Sequence, residues 1–139
     1  MAGDATLPLC TGSAMRATHL DHVTVIITDV DRSRRFYTEV LGLKEIKPPY
    51  TFDFVVLWFE LGGQYLHLLH KPLPDAISPR HFALHVADIA AAREDCRKHG
   101  LAIEETVRIP NADRFFIRDP DGNRIELIHW QKPYDPNAK

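Results

Sequence analysis

A shift of 59 positions lays this chain over itself and brings its chemistry into register. Residues 61–71 (LGGQYLHLLHK) fall on 120–130 (PDGNRIELIHW), and residues 21–27 (DHVTVII) fall on 80–86 (RHFALHV). Under this one shift His22 meets His81, and His67 meets Glu126. Four side chains able to bind a metal thus occupy two equivalent positions in each of two copies of one unit. A repeated unit usually packs against its twin, because neither buries its apolar face alone. If a pseudo-twofold relates the copies, equivalent side chains converge on the axis and four ligands can meet there. The repeat therefore confines the chain to a paired architecture and points to a metal site.

Each copy reads as βαβββ. Residues 21–28 (DHVTVIIT) are β-branched and bounded by turn formers, which predicts a strand. Asp29 and Asp31 are N-cap candidates for a helix over 31–41, where Phe36, Val40 and Leu41 recur at helical spacing and Gly42 supplies the stop. Strands are expected at 43–47, 53–60 and 64–70, with Gly62-Gly63 turning between the last two. Three prolines in 71–79 mark a linker. The second copy predicts a strand over 81–87, a helix over 89–99 capped by Asp88 and ended by Gly100, and a strand over 101–107. A hairpin of 112–118 and 123–130 closes it. The expected class is α+β, with helices on one side of a mostly antiparallel sheet whose other face curves into a groove. The expected boundaries are a flexible leader at 1–18, a folded region at 19–131 made of units about 19–71 and 80–131, and a tail at 132–139.

Strand alternation sorts the histidines, since residues two apart share a face. Val23, Val25 and Ile27 form a uniformly aliphatic face suited to the helix, which turns His22, Thr24 and Ile26 to the groove. Likewise Phe82, Leu84 and Val86 turn inward and leave His81, Ala83 and His85 on the groove. Tyr65, His67 and Leu69 share that face, as do Arg124, Glu126 and Ile128. All four candidate ligands reach the concave side together. A lone histidine on a half-buried strand is more often a hydrogen-bonded structural residue, and that reading suits His70, His85, His99 and His129. Of these only His85 is placed to contact a substrate or support a ligand.

Composition narrows the function. A net charge of −2 without a Lys/Arg run gives no footprint for nucleic acid. No segment approaches the roughly 20 apolar residues of a membrane span, and the first fifteen residues lack the pattern of a secretory signal. Cys10 and Cys96, far apart, read as free thiols of a cytoplasmic protein rather than a disulfide framework.

The segments LDHVTVIITDVDRSRRFYTEVLGL (20–43) and FFIRDPDGNRIELI (115–128) resemble the vicinal oxygen chelate superfamily, which includes glyoxalase I, fosfomycin-resistance proteins, methylmalonyl-CoA epimerase, extradiol dioxygenases and bleomycin-resistance proteins. The resemblance runs from Leu20 to Trp130. It implies paired βαβββ units forming a U-shaped sheet around one divalent metal, with His22, His67, His81 and Glu126 at the ligand positions. Three His and one Glu match none of these subfamilies cleanly, so His67 is either a fourth ligand or a residue lining the site. A homodimer is implied as well, and the four ligands can come from one chain or from two.

Imidazoles with one carboxylate suit Fe, Ni, Zn, Mn or Co better than Ca or Mg. Such a metal chelates two neighbouring substrate oxygens as a Lewis acid, and Glu126 can act as catalytic acid/base. The leading expectation is a glyoxalase I-like lyase or isomerase. The alternatives are a ring-cleaving dioxygenase or fosfomycin-type transferase, and a binding protein of the bleomycin-resistance kind. Phe116 stands where dioxygenases and fosfomycin enzymes commonly have Tyr, which weakens both, whereas Thr24 matches a fosfomycin-enzyme position. Arg114, Phe116, Arg118 and Arg124 are expected on the groove face, where arginines suit an anionic substrate. The opposing reading is that Arg118 and Arg124 pair with Asp119 or Asp121 at the hairpin end. Leu57, Phe59, Tyr65 and Leu69 are expected to form an apolar wall.

Overall fold

A computed structural model describes residues 15–137. In chain order it contains β1 (His22–Ile27), α1 (Val30–Arg35) extended by a π-helical turn (Phe36–Val40), β2 (Lys44–Ile46), β3 (Val56–Leu61) and β4 (Gln64–His70). The second copy contributes β5 (His81–His85), α2 (Ile89–Lys98), β6 (Ala112–Arg118) and β7 (Arg124–Trp130). The strands form two sheets, ordered β1-β4-β3-β2 and β5-β7-β6. In each, the first strand lies parallel to the last, and the hairpins are antiparallel. His22 pairs with Tyr65 and His81 with Arg124, so both parallel ladders carry the 59-residue repeat in the same register.

Two single-residue differences interrupt the repeat and cancel. Asp29 and Asp88 cap equivalent helices, each accepting a backbone N–H at 3.0 Å. Gly42 and Gly100 follow those helices, both at φ 69°, the left-handed conformation that a helix stop requires. The first helix carries one residue more between cap and glycine. The π turn absorbs it, with Leu41 N–H donating to the Phe36 carbonyl at 3.1 Å. From there the equivalence is displaced by one, so the Ile46–Trp58 pair of the first copy corresponds to Glu104–Phe116 in the second. One residue more lies between the paired Arg118 and Arg124 than between the equivalent pair Glu60 and Tyr65, and it restores the original register before Glu126.

The strand expected over 101–107 is a correction: only the isolated Glu104–Phe116 bridge survives there. Glu104 and Glu105 occupy its centre, and their side chains turn outward to Arg124 and Arg93. A run interrupted by two solvated carboxylates has too little apolar surface to bury as an edge strand.

One core joins the two copies. Ile27, Leu66 and Leu68 of the first sheet, Phe115, Ile117, Ile125 and Leu127 of the second, and Phe36 and Tyr37 of the first helix belong to a single buried cluster. Leu57 and Phe59 belong to it too, which corrects their expected place on the groove wall. The two-residue Gly62-Gly63 turn sets Trp58 opposite His67, so β3 shows Trp58 to the groove and Leu57 and Phe59 to the core. At the junction the Tyr37 hydroxyl donates to Asp119 at 2.7 Å. The Asp119 carboxylate also accepts the backbone N–H groups of Asp121 and Asn123 and the Asn123 amide. Beside this turn Ile77 of the linker packs on Gly122, where a Cβ would lie 2.6 Å from its methyl carbon.

Candidate active site

On both β1 and β5, burial alternates with period two, and the more exposed face carries His22 and Thr24 or His81, Ala83 and His85. β4 lies between β1 and β3. His67 is therefore held between two rings, with Trp58 stacked at 3.9 Å and His22 at 4.1 Å between centroids. His67 is buried, and its Nε2 has no hydrogen-bond partner. Burial pushes its pKa down, because the cation would lose water there, and the neighbouring His22 adds to the effect.

The second pair forms on the other sheet. Glu126 is buried on β7, with His81 Nε2 at 3.4 Å and Arg114 Nη1 donating at 3.1 Å to the same carboxylate oxygen. His81 Nδ1 lies 2.9 Å from the Pro79 carbonyl, and His22 Nδ1 lies 2.9 Å from the Asp21 carboxylate. A carbonyl or carboxylate can only accept, so in the neutral ring each Nδ1 carries the proton and each Nε2 keeps its lone pair.

These features fit a divalent transition metal. Three imidazoles present Nε2 atoms without a proton donor; that of His67 is buried and unpartnered, and that of His81 lies next to the buried Glu126 carboxylate. The 3.4 Å between His81 Nε2 and Glu126 is the separation of two donors sharing one ion, which for tetrahedral ligands at about 2.0–2.1 Å is roughly 3.3 Å. Yet among the described residues no group of three or more His, Cys, Asp or Glu side chains lies close enough to hold one ion. The quartet is present as two pairs, His22 with His67 and His81 with Glu126.

The candidate substrate residues distribute around the pairs. Tyr65 and His85 line a cavity of about 720 Å³ with His22 and His81, although His85 Nε2 already accepts the Trp130 N–H at 3.2 Å. Thr24 and Arg124 line a smaller cavity of about 300 Å³ that also reaches His81. Both cavities occupy the gap between β1 and β5, which are not hydrogen-bonded to each other. Phe116 lies buried beneath His81, with their rings edge to face at 4.8 Å. Arg114 is held by Glu126 and by the Val107 carbonyl. Neither hairpin-end arginine pairs with Asp119 or Asp121: Arg118 donates to the Gly122 carbonyl and Arg124 to Glu104. His70 and His129 bond the backbone carbonyls of Thr28 and Val86, a structural role.

Sequence reasoning missed Trp58 and Asp21. The Gly62-Gly63 turn was the available signal for Trp58, since a two-residue turn fixes which residues face each other. The uninterrupted apolar run of β3 hid its alternation. Asp21 opens the predicted strand, and its only signal is that it directly precedes the first candidate ligand.

Comparison with known proteins agrees with this architecture. Residues 19–127 match the family model of the Glyoxalase/Bleomycin resistance protein/Dioxygenase superfamily. The chain is 31% identical over 130 residues to Glyoxylase I 4 of Arabidopsis thaliana, covering 85% of this chain and 74% of that protein. It is 29% identical over 120 residues to the lactoylglutathione lyase of Haemophilus influenzae, covering 77% and 89%. A solved glyoxalase family protein from Bacillus anthracis superposes with a TM-score of 0.77 at 27% identity, over 85% of this chain and 99% of that one. The chain belongs to the glyoxalase/bleomycin resistance/dioxygenase superfamily.

Proposed function

We propose that this chain is a metal-dependent lyase or isomerase of glyoxalase type, acting on a small substrate with two neighbouring oxygens. The observation that carries the reading is the nitrogen chemistry: three imidazoles with Nε2 free of donors, of which His67 is buried without a partner and His81 lies beside the buried Glu126 carboxylate. His22, His67, His81 and Glu126 would hold the ion. When bound, a divalent metal supplies Lewis-acid stabilisation of negative charge on the chelated oxygens. Glu126 supplies the proton transfer, taking a proton from the carbon next to a carbonyl and returning it to the adjacent carbon. Arg114 fixes one oxygen of that carboxylate, and Trp58 holds the His67 ring in plane. The similarity to Glyoxylase I 4 and to a lactoylglutathione lyase supports the hemithioacetal of glutathione and methylglyoxal as the first substrate to try.

The reading extends to assembly. Two ligand pairs on two sheets suit a homodimer in which each copy completes the other's site. Cys96, a buried free thiol, accords with the cytoplasm.

The test is elemental analysis of purified protein, followed by metal stripping, reconstitution and a hemithioacetal assay. Turnover restored by Ni, Zn, Mn, Co or Fe and lost in Glu126→Gln is the expected result. Unchanged turnover in Glu126→Gln, or a protein that binds none of these metals, would end the proposal. Oxygen uptake on catechols would move it to the dioxygenases.

A further inference from the structure

We propose that the cavity of about 300 Å³ between β1, β5 and the linker is an oxyanion subsite, taking a carboxylate or phosphonate group of the substrate on Arg124 and Arg80. This rests on the reading that His81 and Glu126 belong to the reacting centre, because the same cavity reaches His81.

The arginines on and beside this face are not equivalent. Arg114 is committed to Glu126 and the Val107 carbonyl, and Arg118 to the Gly122 carbonyl. Arg124 is differently held. Its guanidinium lies 3.6 Å above the Phe116 ring, against 5.9 Å for that of Arg114; both side chains are 15% exposed with a buried Nε that has no partner. Among the described residues the one ion pair of Arg124 is with Glu104, whose side chain is 55% exposed, so that pair contributes little and leaves N–H donors unused. Stacking on an aromatic ring fixes the plane of the guanidinium, which is what two-point recognition of an oxyanion requires. Arg80, at the linker's end of the same cavity, makes no ion pair among the described residues.

The rest of the lining suits the same ligand. Thr24 and Ser78 line the cavity, and the Ser78 hydroxyl accepts the Arg80 N–H at 3.2 Å, which leaves its own proton to donate. Asp75 is the one carboxylate in the wall, so two guanidinium groups outnumber it. A volume of this size holds a small charged fragment, at the lower end of ligand pockets. An oxyanion anchored here would lie beside His81 and orient the remainder of the ligand toward Glu126.

The probe is methylphosphonate, titrated calorimetrically into the full chain after metal stripping, at low chloride. Wild type should bind it, while Arg124→Gln and Arg80→Gln should each weaken binding about tenfold or more. Arg34→Gln, which alters a pair with Glu45 outside the lining of the cavity, should bind like wild type. The neutral dimethyl ester should not bind. Arg80 is exposed, so its variant keeps the test decisive if Arg124→Gln fails to fold. Equal affinity in Arg80→Gln, equal binding of the ester, or no binding by wild type would overturn the subsite. Metal uptake, measured separately on the same preparations, reports on the metal reading alone.

Discussion

The Asp21 carboxylate lies 2.9 Å from Nδ1 of His22, and that contact decides which ring nitrogen of His22 is available to the groove. The equivalent contact of His81 is to a backbone carbonyl, that of Pro79, also at 2.9 Å. The two copies therefore support equivalent imidazoles by different means, and only one support can be removed by a side-chain change. Supporting hydrogen bonds of this type fix the tautomer and raise ligand basicity. Asp21→Ala should weaken metal affinity about 10–100-fold, with Asp21→Asn intermediate because it keeps an acceptor without the charge. Competition against a chelator of known affinity measures this. Wild-type affinity in Asp21→Ala would mean that the contact is incidental.

His67 makes the stability of the metal-free chain depend on acidity. Its pKa is held below the usual histidine value of 6.5, first by burial and then by repulsion from His22. The neutral ring is favoured in the fold relative to the unfolded chain. The stability this confers is present above 6.5 and is lost as pH falls through the lower folded value. The urea midpoint of metal-free wild type should fall between about pH 7 and pH 5 by more than that of His67→Gln. Parallel losses in the two proteins would assign the acid sensitivity elsewhere.

Tyr37 and Asp119 join the first helix to the turn of the second hairpin, and both are buried. Burial pushes the Tyr37 hydroxyl well above its ordinary value, with Asp119 adding to the shift, so it remains a proton donor through the neutral range. Removing it in Tyr37→Phe leaves a buried carboxylate one donor short. Hydrogen bonds to charged groups contribute about 1.5–3 kcal/mol. For a chain of this length that corresponds to a fall in melting temperature of roughly 5–10 °C. A thermal melt of the variant checks it, and a change within about 1 °C would show that water replaces the hydroxyl.

The repeat made most of the architecture legible, because alternation and turn residues at equivalent positions reinforce each other. His22, His67, His81 and Glu126 could be assigned to one face for that reason, as could the helix caps Asp29 and Asp88. What escaped were the places where the copies differ by one residue. The π turn after Arg35 and the longer turn after Arg118 cancel, so a single shift fitted both ends while β3 and β6 sat one position away. The strand expected over 101–107 failed for another reason: two carboxylates at its centre pair with arginines of α2 and β7, distant in sequence, and only the backbone of Glu104 stays bridged, to Phe116. Strand periodicity places residues on a face but does not encode whether two pairs on separate sheets meet, and among the described residues of one chain they form no group of three.

That assembly can be tested by mixing broken copies. His22→Ala/His67→Ala removes the pair on the first sheet, and His81→Ala/Glu126→Gln removes the pair on the second. Each variant alone should bind no metal at the shared centre. Refolded together as a homodimer-forming mixture, about half of the dimers should contain one of each. In a site built from both chains, such a dimer holds one intact centre and one lacking all four ligands. Metal stoichiometry should then recover to about a quarter of wild type. A site closed within one chain predicts no recovery, since every copy in the mixture lacks half of its own ligands. The stacked His22–His67 pair and the His81–Glu126 pair, found on separate sheets, favour recovery. Its absence, in a mixture shown by mass to contain the mixed dimer, would assign the centre to a single chain.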